Sequence, residues 1–314
     1  MAEQKDKVIV IVGPTGVGKT ALSVELARRL QGEVISGDSI QVYRGLDIGS
    51  AKVTKEEMQG VTHHLIDELD HHEEYNVKVF QERCRECLQE ILDKGRMPIL
   101  CGGTGLYIKA ALYDYTFAQE EPDEDYLRFL DTLSQEQLYG ALQIVDPQAS
   151  EKIHPNNRKR IIRALSIVHH GEAKSAIEQR QSHQPLYDVF MIGLTMDRAH
   201  LYARIDQRVD IMLERGLLDE IRTLIKNLGR NHTVILSSHI LHSFQGIGYK
   251  EWKPYFQGNA SLEQCSEQVK KNSRNFAKRQ YTWFRNQFDV HWFDVETADW
   301  KTQLYAQLEE WRNR

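Results

Sequence analysis

The eight residues GPTGVGKT, Gly13 to Thr20, satisfy the pattern GxxxxGK[ST]. Gly13, Gly16 and Gly18 let backbone N–H groups turn inward around a phosphate, with Pro14, Thr15 and Val17 filling the positions between them. Lys19 adds a point charge, and the Thr20 hydroxyl can hold Mg2+. A helix following such a loop directs the positive end of its dipole at the same anion. The constellation indicates a diphosphate- or triphosphate-bearing ligand and leaves the reaction open, because kinases, ATPases and GTPases share it. An ATPase usually adds an apolar strand ending in an acid that holds Mg2+. The strongest later candidate, MPILCGG, ends instead in Cys101 and two glycines, which leaves Asp38 and Asp67 as substitutes. Asp38, in EVISGDSIQVY, has two readings: a turn or helix-cap aspartate, or an acid set opposite the phosphate loop.

Both features need a scaffold that brings strand ends together. VIVIVG is a short β-branched run ending in glycine, which suits a buried parallel strand, and ALSVELARRL after the loop has helical apolar spacing. EVISG, VTHHLIDEL, MPILCGG, VFMIGLTM and HWFDV are further strand candidates, most of them separated by helical stretches. Strands alternating with helices predict an α/β fold whose parallel sheet gathers its site at the strands' carboxyl ends. The rhythm stops between about Glu120 and Pro185, where helical periods, prolines and turns predict an all-helical insertion. The expected organisation is a catalytic core of residues 1–119 and 186–314 interrupted by a helical domain of residues 120–185.

With 314 residues, 41% hydrophobic and 27% charged, the composition is that of an ordinary globular protein. No apolar run approaches the roughly eighteen residues that span a bilayer. The start, MAEQKDKVIV, lacks the apolar stretch of a secretory leader, so the expected location is cytoplasmic. Cys84 and Cys87 form a lone CxxC on an amphipathic helical run with no second ligand pair at zinc spacing, and are read as helix residues. The net charge of −5 argues against nucleic acid as a partner. Phosphate binding depends on where the cations sit, however, and Lys270 to Arg285 carries six Lys/Arg and no acid. A second basic cluster, NNRKRIIRAL, runs from Asn156 to Leu165.

GPTGVGKT, DSIQVY, CGGTGLYIKA, KRIIRAL, QGIGYKEW and KRQYTWFR resemble, in order, the motifs of the tRNA dimethylallyltransferases, also called tRNA isopentenyltransferases. They span Gly13 to Arg285, nearly the whole chain, and GGTGLYI and KRQYTWFR are far more specific than the first. Departures are few: Ser166 stands where an acid often follows KRxxRAL, and Gly246 where alanine is frequent. The zinc-finger extension of some eukaryotic relatives has no counterpart, which suits a bacterial-type enzyme. The resemblance implies a P-loop NTPase-like sheet flanked by helices. It further implies transfer of a dimethylallyl group from dimethylallyl diphosphate to N6 of the adenosine just 3′ of a tRNA anticodon. Gly13 to Thr20 and Mg2+ then hold the diphosphate, Asp38 accepts the amine's proton, and Thr104 stands beside the transferring group. Arg204 and Arg208 join as pyrophosphate ligands.

On the same resemblance, tRNA is contacted by four stretches: Asp38, Ser39, Ile40 and Gln41; Lys159, Arg160, Ile161, Ile162 and Arg163; Gln245, Gly248 and Tyr249; and Lys278, Arg279, Gln280, Tyr281, Thr282, Trp283, Phe284 and Arg285. KRQYTWFR interleaves cations with aromatics, as proteins that read single-stranded loops do. On a helix Lys278, Tyr281 and Arg285 share one face, whereas Phe284 suits the core. The expected partner is the anticodon stem-loop, bound by a monomer. Three rivals compete with this reading: an adenylate isopentenyltransferase acting on free adenine nucleotides, a small-molecule P-loop kinase, and a non-enzymatic RNA-binding protein. The first has little need of the insertion or the basic aromatic helix.

Overall fold

The computed structural model describes residues 5–117, 123–180, 184–227 and 242–314. Six strands form one parallel sheet: β1 (Lys7–Val12), β2 (Glu33–Ser36), β3 (His63–His64), β4 (Pro98–Cys101), β5 (Asp188–Thr195) and β6 (His291–Asp294). Their order is β3-β2-β4-β1-β5-β6. The most apolar run takes the centre. Val8 to Val12 of β1 have no solvent exposure, and β1 pairs with β4 on one side (Ile11 opposite Cys101) and β5 on the other (Val12 opposite Gly193). A strand covered on both faces has to be apolar throughout rather than alternating. The helix Lys19–Leu30 packs Leu22, Leu26 and Ala27 into the core formed with Ile9, Ile11, Phe190 and Ile192.

All six strands coincide with the runs singled out in the sequence, β1 and β5 each beginning one residue earlier, but VTHHLIDEL yields only His63–His64. Leu65 and Asp67 take left-handed backbone, φ 60° and 55°, and turn the chain out of the sheet. The expected helix around CxxC is Val77–Asp93, with Cys84 fully buried beside Phe80, Leu88 and Ile91 at helical spacing. Burial pushes the Cys84 thiol well above its usual pKa, so it acts as an apolar filler.

The chain divides into two compact units, residues 1–112 with 186–314, and residues 113–185. The second unit contains helices Glu124–Thr132, Gln135–Val145, Pro147–Lys152, Arg158–His169 and Lys174–Arg180. Its own core comprises Leu130, Leu138, Leu142, Ala149, Ile153, Ile161, Ala164 and Leu165. Ser134 starts one of these helices with a reciprocal capping box to Gln137, and buried Asp146 caps the next by accepting from the Ala149 amide.

Candidate active site

Because β4 lies between β1 and β2, the segments leaving these three strands converge at one edge of the sheet. They are the phosphate loop after β1, the turn of Asp38 after β2, and the Gly102–Thr104 loop after β4. Gly37 and Gly102 allow the approach of the last two, since a Cβ on Gly102 would lie 2.5 Å from the Gly37 carbonyl oxygen. In the phosphate loop, a Cβ on Gly13 (φ +144°) would meet the Leu194 carbonyl of β5 at 2.8 Å. Only glycine lets the loop leave the sheet in this direction.

The three segments line a cavity of about 420 Å3 that includes Lys19, Thr20, Asp38, Thr104 and Arg208. Lys19 Nζ donates to the Pro14 carbonyl at 2.8 Å. Burial lowers its pKa to about 8, Cys101 and Asp38 partly restoring it and Arg208 adding to the depression. Arg208, on the helix Arg198–Glu214, donates to Thr15 Oγ1 at 3.0 Å, and burial also depresses its pKa. Arg204, one turn earlier and exposed, lines a second, more open cleft of about 1050 Å3 on the same loop together with Gly16, Gly18, Lys19, Thr20 and Arg208. Both arginines therefore border the cradle, but among the described residues only Arg208 bonds to it.

One oxygen of Asp38 accepts from the Ile40 and Gln41 amides, at 2.8 and 3.2 Å. The turn reading thus holds, while the side chain still lines the cavity between cradle and Thr104. Ser39, Ile40 and Gln41 line it as well. The Gln41 amide accepts from Ser36 Oγ at 3.1 Å and donates to the Ser50 and Ala51 carbonyls, so it is fixed in place.

The residues expected to meet RNA separate by burial. Lys278, Arg279, Thr282 and Arg285 are exposed on the helix Leu262–Gln287, and Lys159, Arg160 and Arg163 are exposed on Arg158–His169. Gln245 is exposed at the cavity mouth. Phe284, Ile161, Tyr249 and Gln280 have relative exposures of 0, 0, 1 and 5%. As placed, Phe284, Ile161 and Tyr249 offer RNA almost no side-chain surface, and Gln280 only an edge on the cavity. Ile162 packs against the second unit's core, and Gly248 brings its backbone against Gly49. Trp283 lies on Gly105 and stacks with Phe288 at 5.8 Å. Tyr281 packs on Trp292, and Arg285 sits over both rings at 5.4 Å, as the shared helix face required. Two of the six cations in the basic segment hold the helix down, Lys270 pairing with Asp210 at 2.7 Å and Arg274 with Asp206 at 2.5 Å.

Glu220 and His63 escaped the sequence reading, and Gln280, expected there to contact tRNA, has a further place in the structure. Gln280 bonds both to the phosphate loop and to the Thr104 loop. Glu220 accepts from the amides of Asp47, Ile48 and Gly49 and from the Tyr249 hydroxyl (2.7 Å), anchoring the stretch that holds Gln41. His63 lines the cavity; its Nδ1 donates to the Val61 carbonyl at 2.9 Å, and its buried Nε2 has no hydrogen-bond partner among the described residues. The paired histidines of VTHHLIDEL were the available signal for this last residue.

A family model described as IPP transferase matches residues 41–287. The tRNA dimethylallyltransferase of Bacillus mycoides (strain KBAB4) is 47% identical over 311 residues, covering 98% of this chain and 95% of the relative. That of Bacillus anthracis is 48% identical over 311 residues, covering 98% and 96%. The crystal structure of the full-length tRNA isopentenylpyrophosphate transferase of Bacillus halodurans is similar with a TM-score of 0.71 at 44% identity, over 98% of this chain and 99% of that one. A eukaryotic dimethylallyltransferase acting on tRNA gives a TM-score of 0.83 at 32% identity, over 96% and 77%. With phosphate cradle, acid and hydroxyl on one cavity and relatives matched along nearly its full length, the chain belongs to the IPP transferase family, that of the tRNA dimethylallyltransferases.

Proposed function

We propose that this chain transfers the dimethylallyl group of dimethylallyl diphosphate to N6 of the adenosine 3′-adjacent to the anticodon in tRNA, releasing diphosphate. The observation that carries the reading is the meeting of Asp38, Thr104, Lys19 and Arg208 on a single cavity. Breaking an allylic C–O bond leaves negative charge on the departing diphosphate, where fixed cations and backbone N–H groups stabilise it. Lys19 can hold the Pro14 carbonyl and still offer donors to a phosphate, since an ammonium has three. Arg208 provides a second charge beside Thr15. Thr104 offers a hydroxyl at the junction of diphosphate and allyl group.

The N6 amine is a poor nucleophile because its lone pair is delocalised into the purine. The second oxygen of Asp38 orients it and accepts its proton as the new C–N bond forms. Since that base normally stacks in the anticodon loop, it is turned out to reach the cavity. Lys278, Arg279 and Arg285 on the first unit, and Lys159, Arg160 and Arg163 on the second, hold RNA phosphates of the anticodon stem-loop. Mg2+ suits the donors present: Thr20 gives one hydroxyl, and no group of three or more His, Cys, Asp or Glu able to hold a metal occurs among the described residues. Mg2+ binds few protein oxygens and completes its shell with water and phosphate oxygens. When bound it neutralises charge on the leaving group. The enzyme acts as a cytoplasmic monomer, and among the described residues no helix is long and apolar enough to cross a membrane.

The test incubates the protein with Mg2+, dimethylallyl diphosphate and unmodified tRNA and identifies the product nucleoside by mass spectrometry. One five-carbon unit on the adenosine beside the anticodon is the expected result. Prenylation of AMP without prenylation of tRNA would establish the adenylate rival. Consumption of labelled ATP with the prenyl donor untouched would establish a kinase.

A further inference from the structure

We propose that Gln280 is a positioning residue for prenyl transfer, locking the phosphate loop to the loop that carries Thr104. Its Oε1 accepts from the Thr15 amide at 3.1 Å, and its Nε2 donates to the Gly103 carbonyl at 3.0 Å. Thr15 is in the middle of the cradle and also receives the Arg208 guanidinium, while Gly103 directly precedes Thr104. One amide therefore joins the strand ends of β1 and β4 at the point where the leaving group meets the hydroxyl.

No other side chain of this length both accepts and donates at the required spacing. Glutamate keeps the acceptor and loses the donor, and methionine fills the space with neither. The contact is closely built: a Cβ on Gly103 would fall 2.1 Å from Gln280 Nε2, so glycine is required there to admit the amide. At 5% exposure, with its oxygen and its nitrogen each bonded to a loop, Gln280 is held by the protein rather than set out on the helix surface. It sits in a stretch whose Lys278, Arg279, Thr282 and Arg285 are exposed, and its inward position separates its role from theirs.

The inference rests on the prenyl-transfer reading. In that reaction the C–O bond breaks only when the diphosphate is held by the cradle and the allyl carbon lies beside Thr104 and Asp38. A displacement of about 1 Å between these parts costs about 100-fold in rate. The experiment compares wild type with Gln280→Met and Gly103→Ala in four readouts: turnover with both substrates saturating, KM for dimethylallyl diphosphate, tRNA affinity across a salt series, and thermal unfolding.

Both variants are expected to lose about 100-fold in turnover, with tRNA affinity and its salt dependence unchanged and unfolding above the assay temperature. Their losses are expected not to multiply in the Gln280→Met/Gly103→Ala double variant, because each removes the same bridge. If Gln280→Met fails to fold, Gly103→Ala, which keeps the glutamine in the chain but crowds its amide off the Gly103 carbonyl, carries the same expectation. The inference is overturned if Gln280→Met weakens tRNA binding while saturated turnover stays normal, if the lost turnover merely tracks the unfolded fraction, or if the two losses multiply. An inactive wild type overturns both readings, whereas an active wild type with unimpaired Gln280→Met and Gly103→Ala overturns this one alone.

Discussion

At the residue scale, the turn after β2 ties one oxygen of Asp38 to the Ile40 and Gln41 amides, and the proposed mechanism gives the other to substrate. In that proposal structure and chemistry share one carboxylate, and the substitution that separates them is Asp38→Asn. The asparagine carbonyl still accepts from both amides, so the turn persists, but it cannot take a proton. Turnover is expected to fall about 10²- to 10⁴-fold, with the affinities for tRNA and dimethylallyl diphosphate near wild type in equilibrium binding. Asp38→Ala loses the turn as well and should add a binding defect. Near-normal turnover of Asp38→Asn in single-turnover assays would remove Asp38 as the base. Lys19 could be located in the sequence because its motif's spacing dictates a backbone geometry, whereas the roles of Asp38 and Thr104 were legible only through the resemblance of DSIQVY and CGGTGLYIKA to the family's motifs. The bonds of Gln280 and Glu220 were not legible: their partners lie 265 and 173 residues away, and only the fold brings them together. The stretch Lys278 to Arg285 is a helix with two sides, so a motif read as a block assigned Phe284 and Gln280 to RNA along with the cations.

At the element scale, Asp38 is only as well placed as β2, and β2 begins at a buried charge. The Glu33 side chain, 2% exposed, accepts from His64 Nε2 at 2.6 Å, Arg96 at 2.6 Å and Lys94 at 3.3 Å, tying β2 to β3 and to the segment entering β4. Burial pushes its pKa up, but the hydrogen bonds from His64, Arg96 and Lys94 outweigh burial and hold it below the usual carboxylate value. A carboxylate whose pKa is lower in the folded than in the unfolded chain stabilises the fold above its unfolded value. That contribution disappears as the pH drops through the folded one. Glu33→Gln is therefore expected to cost about 2 kcal/mol near neutral pH, in urea unfolding. The gap between variant and wild type should close as the pH falls below about 4.5. A gap that stayed constant down to pH 3 would mean that the effect is packing and not charge. The strands themselves were legible from their apolar runs. The length of β3 was not, because the left-handed turns at Leu65 and Asp67 leave no mark in residue type.

At the scale of the whole molecule, the proposed function divides its parts between the two units. The cradle, Arg208, Asp38, Thr104 and Gln280 all belong to residues 1–112 and 186–314, and the unit of residues 113–185 contributes Lys159, Arg160 and Arg163. The hydrophobic cores are correspondingly separate: the cluster around β1 contains no residue of the insertion, and the cluster around Leu142 contains none of the sheet. The insertion also enters and leaves at a single point, since the Leu186 amide donates to the Leu112 carbonyl at 2.9 Å. A short glycine linker can therefore join Leu112 to Leu186 without moving either end, and two such ends add little loop-closure entropy. The shortened chain is expected to unfold cooperatively and to bind dimethylallyl diphosphate, measured by calorimetry, with nearly the affinity of the intact protein. Its tRNA affinity should fall. If the three cations each neutralise a phosphate, the slope of log affinity against log salt should become shallower by about 2 to 3. Loss of donor binding would show that the core depends on the insertion for its shape, and an unchanged salt slope would remove Lys159, Arg160 and Arg163 from the RNA contacts. The first outcome bears on how the chain folds and the second on how it recognises its substrate, so one protein examined by two titrations tests both divisions of labour.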